Sequence, residues 1–162
     1  MADSAQDKEL GRTTVAVGKN FQTRLLTPPG IGVAAAYADL DAIGTAFMFR
    51  VPASGIIQAA SYYDLDDEGL QVDLWLMDDA PAIQTDNNPL SFLDNDLIKV
   101  ITRIQFTTFG DATNGQFSEA KNIGRPYVQE NRRMWAQLQA RGALNIAAGN
   151  LPMFRIVILA DE

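Results

Sequence analysis

Residues 45–77 read TAFMFRVPASGIIQAASYYDLDDEGLQVDLWLM. Three runs of strand-forming residues are separated by Pro52 and by the acidic cluster ending at Gly69. In the first run Phe47, Phe49 and Val51 fall on one side, and Met48 and Arg50 on the other. That is the period-two alternation of a half-buried strand. Pro52 stops it, because proline has no N–H to give to a ladder. GIIQAASYYDL is the second run. DDEG then supplies a tight turn, with Gly69 free to take positive φ. In the third run Val72, Leu74 and Leu76 share a face. The order strand, turn, strand predicts a β-hairpin over residues 55–77.

Working outward, DLIKVITRIQF (96–106) places Ile98, Val100, Ile104 and Phe106 on one face and Lys99, Arg103 and Gln105 on the other. FSEAKNI, PYVQ and MFRIVILAD read as further strands. RMWAQLQAR (133–141) has helix-spaced Met134, Leu138 and Arg141, yet Met134, Ala136, Leu138 and Ala140 also alternate with Trp135, Gln137, Gln139 and Arg141; strand is preferred. Upstream, TTVAV (13–17) is a candidate strand, and Pro28, Pro29 and Gly30 break the chain. IGVAAAYADLDAIG (31–44) reads as irregular, ending in a short turn. Roughly seven to nine short strands between Gly, Pro and Asp turns predict an all-β domain, an antiparallel β-sandwich or jelly roll. It spans residues 13–162, after a flexible N-terminal arm, residues 1–12, which is polar and aperiodic.

The chain has 162 residues, 13 Lys+Arg against 20 Asp+Glu, and a net charge of −7. One domain of that length buries a real core. The acidic balance speaks against nucleic acid, which needs a cationic footprint, and against an anionic membrane surface. There is no histidine and no cysteine, which removes imidazole and thiolate metal sites and the His-dependent nucleophile triads. No P-loop, GxGxxG or GxSxG is present. No apolar run approaches a membrane span, and the first residues show no secretory h-region. An enzyme is not expected, nor a cofactor.

Residues 73–96, DLWLMDDAPAIQTDNNPLSFLDND, gather carboxylates and amides behind a strand. Just before them, Asp64, Asp66, Glu68 and Gly69 match the opening of a calcium loop, but its twelfth position is Trp75, where a bidentate Glu is required. A solvated turn is the better reading. In the later cluster Asp and Asn side chains more commonly bond nearby backbone N–H groups than cations, and SFLD (91–94) fits a one-turn capped helix. No metal ligand is assigned.

LWLMDDAPAIQTDNNPLSFLDNDLIKVI (74–101) resembles a block of small head proteins of tailed bacteriophages: a Leu-x-Leu strand, a Pro, Asp-Asn, then an Asp-x-Asp turn into an apolar strand. Tyr37, Asp41, Ile43 and Gly44 resemble a second block, and WAQLQARGALNIAAGNLPMFRIVI (135–158) resembles the family's C-terminal end. Met77 stands where the family usually has Phe. The resemblance is to capsid decoration, or cement, proteins. It implies a structural virion protein on the outer surface of a capsid, with the major capsid protein as partner and a homotrimer as its own assembly.

Trp75 and Trp135 each lie on the polar side of an alternating strand, Trp75 with Asp73 and Met77, Trp135 with Gln137, Gln139 and Arg141. Each indole is either covered by its own chain or part of a protein interface, where Trp and Arg concentrate binding energy. The expected contact residues are Trp75, Met77, Trp135, Gln137 and Arg141. The alternative is a carbohydrate-binding β-sandwich on a virion surface, stacking sugars on the same indoles.

Overall fold

The computed structural model describes residues 18–32 and 35–161. It is an all-β sandwich. One sheet is ordered β1 (Lys19–Gln22), β12 (Met153–Ala160), β4 (Ser54–Asp64), β8 (Gln116–Ala120), β7 (Phe109–Asp111), with β9 (Arg125–Val128) pairing the other end of β4 beyond β8. The second sheet is β3 (Ala42–Arg50), β10 (Arg133–Ala140), β5 (Val72–Met77), β6 (Val100–Phe106). A small ribbon pairs β2 (Ala35–Tyr37) with β11 (Leu144–Ile146). Every pairing is antiparallel. A single turn, α1 (Asp94–Leu97), precedes β6.

The core lies between the sheets. Ile57, Ala60 and Tyr62 of β4 and Phe154, Ile156 and Ile158 of β12 meet Val72, Leu74 and Leu76 of β5 and Met134, Ala136 and Leu138 of β10 in one hydrophobic cluster. The alternation read from Phe49, Val51, Val72, Leu74 and Leu76 is the buried side of the second sheet. RMWAQLQAR is a strand, and β10 sits between two neighbours, β3 and β5.

The hairpin over residues 55–77 does not form: β4 and β5 belong to different sheets. The turn itself is where the sequence puts it. Asp64 Oδ1 accepts from the Asp66 N–H at 3.0 Å and Oδ2 from the Gly69 N–H at 2.8 Å. Gly69 has φ 61° and Asp67 φ 59°. What differs is where the turn leads. Both strands carry a strongly apolar face, and facing each other across the core buries both; the chain therefore crosses from one layer to the other. Nor is the turn merely solvated. Asp66 Oδ2 accepts from the Ala147 N–H at 2.7 Å and Oδ1 from Asn150 Nδ2 at 2.9 Å, tying down the loop before β12. Because these bonds are exposed, Asp66→Ala is expected to lower stability by only about 1 kcal/mol, read from urea midpoints. Its amide-exchange change is expected at residues 147–150 as well as in the turn.

Two other expectations change. Residues 35–37 form a strand because β11 offers them a partner, and β3 begins at Ala42, so Gly44 lies inside a strand instead of before one. Ile98 caps α1 and is 82% exposed, off the apolar face assigned to it. The arm (1–12) and the candidate strand TTVAV lie outside the described residues.

Candidate protein-contact surface

The outward face of the second sheet brings the predicted residues together. In register, Trp135 is opposite Met77 and Met48, Gln137 opposite Trp75, and Trp75 opposite Arg103. Arg141 reaches the same face, its Nε 3.7 Å from Asp73 Oδ2, with an Arg103 nitrogen 3.8 Å from the same oxygen. Asp73 is buried, and burial pushes its carboxyl above the usual range against the pull of both arginines.

That face is not open surface. Met77 and Gln137 are fully buried, so neither can meet a partner; Trp75, Trp135 and Arg141 remain partly exposed. Gln137 fills an irregularity. Between the pairs Ile43–Leu138 and Phe47–Ala136, β3 has three residues where β10 has one. The Gln137 amide occupies the gap and donates to the carbonyls of Ile43 (3.3 Å), Gly44 (3.2 Å) and Leu138 (2.9 Å). Gln139 accepts from the Trp75 indole N–H at 3.0 Å and donates to the Leu40 carbonyl at 3.1 Å. The Trp75 ring has Phe92 against it edge-on, centroids 5.4 Å apart, and the Arg103 guanidinium over it at 5.3 Å. The Trp75 ring is thus partly covered by its own chain.

The cover is the acid-rich connection, residues 78–99. Two sets of bonds hold it. At one end, Asp86 Oδ1 accepts from the Tyr37 hydroxyl (2.8 Å) and the Gly44 N–H (2.6 Å), and Oδ2 from the Gly32 N–H (2.8 Å). Beside it the Ala42 N–H donates to the Asn88 carbonyl, the Asn87 N–H to the Ala42 carbonyl, and the Leu90 N–H to the Leu40 carbonyl. At the other end, Asp96 accepts from the Ala82 N–H (3.1 Å), the Leu93 N–H (3.2 Å) and Lys99 Nζ (3.0 Å). Gln84 lies between, bonded to both backbone groups of Ser91. The helical turn starts at Asp94, one residue past Leu93, so Ser91 is not its cap. The carboxylates and amides thus fold the loop onto itself and onto β3, the local backbone bonding that Asp and Asn favour.

Burial pushes the Asp96 carboxyl upward, but Lys99 and the two N–H donors outweigh it and hold it below the usual range. A carboxyl lowered in the fold stabilises above its unfolded value, about 3.9, and that contribution disappears as pH falls through the folded value. Asp96→Asn is therefore expected to melt below the parent at neutral pH, with the gap closing as the pH drops under about 4. A gap independent of pH would assign the effect to packing.

The stapled loop also holds out aliphatic side chains that sequence reasoning missed. Ile83 is 95% exposed, Ile98 82%, Leu93 61% and Leu97 52%. All four belong to the segment organised by Asp96 and Gln84. Large exposed aliphatics on one ordered loop are a feature that contact surfaces share. The only signal in the sequence was the presence of large aliphatics among turn residues, and Ile98 was absorbed into a strand pattern. Among the described residues no group of three or more acidic side chains is placed to hold a metal ion. No family model matches the chain, and a search of curated proteins finds no significant match.

Proposed function

We propose that this chain is a structural virion protein that binds the outside of a phage capsid and stabilises its shell of major capsid protein. The observation that carries the reading is the loop at residues 78–99. It lies in one of the three blocks whose order along the chain resembles decoration proteins, and it is a preorganised loop presenting Ile83, Leu93, Leu97 and Ile98 to solvent. A loop fixed before contact loses little entropy on binding, so its apolar area is available as affinity. A homotrimer is part of the same proposal and rests on the resemblance; sedimentation equilibrium measures it.

The test is co-sedimentation with expanded shells of the major capsid protein from the same genome. The wild-type chain is expected to pellet with the shells. Ile83→Ser, Leu93→Ser and Ile98→Ser combined should leave the melting temperature within about 2 °C, as exposed positions do, and abolish pelleting. A wild-type chain that stays in the supernatant removes the proposal. A triple variant that still pellets moves the contact to another surface. The sugar-binding alternative gains nothing from Trp75, whose N–H and ring are already engaged.

A further inference from the structure

Each sheet leaves one edge strand beside the other's. β1 and β3 stand at the ends of their sheets, paired on one side only, with β12 and β10. A crevice runs between these two edges. Its larger part, about 880 Å³, lies between residues 21–29 and the second half of β3. A second part, about 350 Å³, continues from the shared residues Phe21 and Arg50 towards Pro52 and Ala160. One end is closed by the Thr45 N–H, which donates to the Pro29 carbonyl at 2.8 Å. Beyond Thr45, no backbone bond from a described residue reaches the outer edge of β3, and none reaches the outer edge of β1.

Among the described residues, the walls therefore leave backbone donors and acceptors unpaired on both sides, in an elongated space. Unpaired edges of this kind accept an added strand through main-chain hydrogen bonds, and alternate side chains supply specificity. Its apolar lining residues are Phe21, Leu25, Phe47 and Met48, of which Leu25 and Met48 are exposed. The charges lining it are of one sign. Among the described residues, Lys19, Arg24 and Arg50 line the crevice and no carboxylate does, although the chain as a whole carries −7. None of these three makes an ion pair with a described residue.

We infer that the crevice binds one extended strand of a partner protein, in which apolar side chains alternate with carboxylates. In such a strand successive side chains point to opposite faces. One set would pack on Phe21 and Phe47, and the other would meet Arg24 and Arg50 at the rim. The inference does not rest on the capsid proposal, which concerns a different surface.

The experiment uses the full-length, isotopically labelled chain and two capped heptapeptides, one alternating glutamate with valine and one alternating lysine with valine. The amide signals of Gln22, Arg24, Met48 and Arg50 are expected to shift together with the glutamate peptide. It should bind about ten-fold more tightly than the lysine peptide, with an advantage that shrinks as salt is added. Arg24 and Arg50 are both exposed, so the double variant Arg24→Glu, Arg50→Glu should keep the folded spectrum and reverse the preference. No shift with either peptide overturns the inference, as do equal affinities. So does slow amide exchange at Arg24, Met48 and Arg50 in the free chain, because it would mean that another part of the chain, or a second copy, already fills the crevice.

Discussion

Asp86→Ala is expected to destabilise the chain by about 3–4 kcal/mol, a fall of roughly 10 °C in melting temperature for a domain of this size. The reason is the number and kind of donors on one carboxylate: the Tyr37 hydroxyl and the backbone N–H groups of Gly32 and Gly44. Hydrogen bonds to a charged acceptor contribute about 1.5–3 kcal/mol each, though not additively. Tyr37 is 2% exposed, so its hydroxyl has little access to water as a substitute acceptor. Asp86→Asn should be nearly as harmful, since one oxygen becomes a donor facing donors. Tyr37→Phe removes one bond and no charge, and should lose about 1.5–2 kcal/mol. Chemical denaturation of the three variants checks the order. If Asp86→Ala falls below 1 kcal/mol, the loop is held by its backbone bonds to Ala42 and Leu40 alone.

The same residues explain what was legible in the sequence. The strands were readable because a sheet with one buried face writes its period directly: Phe49 and Val51, or Val72, Leu74 and Leu76, need no partner to be recognised. Which strand pairs with which was not readable. The turn at 64–69 has the right residues for a hairpin, yet leads across the sandwich, because local turn chemistry does not encode the sheet that receives the next strand. The outer face of β10 and β5 misled for a related reason. Trp75, Gln137 and Gln139 alternate like a solvent face, but the Trp75 N–H is taken by Gln139, and the amide nitrogens of Gln137 and Gln139 donate to the carbonyls of Ile43, Gly44 and Leu40, far away in sequence. A polar residue satisfied by a distant carbonyl looks the same as one satisfied by water. The stapling role of the Asp and Asn residues was legible as chemistry, since such side chains bind backbone. The aliphatics that they present, Ile83 and Ile98 above all, were not, because exposure is a property of the folded loop.

Gly44 is the position where these constraints meet, and Gly44→Ala is expected to lose about 3 kcal/mol or more. Its φ is 65°, where an L-residue is penalised by about 1–2 kcal/mol. A Cβ there would lie 2.6 Å from the Pro29 carbonyl oxygen, 2.8 Å from Pro28 Cβ and 3.1 Å from Ile31 Cγ1. The prolines are stiff, and the Pro29 carbonyl is already held by the Thr45 N–H, so the backbone has to move. That movement would pull the Gly44 N–H from Asp86 and its carbonyl from Gln137. Gly124 separates the two contributions. Its φ is 64°, nearly the same, but its nearest neighbour to a Cβ is the Asn122 carbonyl at 4.0 Å. Gly124→Ala should therefore lose only about 1 kcal/mol, the conformational part alone. Equal losses at the two sites would show that the close approach to Pro29 is relieved cheaply. In the Asp86→Ala background, Gly44→Ala should lose less than it does alone, since one of the bonds it breaks is already gone. A double-mutant cycle in denaturant measures that coupling, and strict additivity would mean that Gly44 and Asp86 stabilise the loop independently.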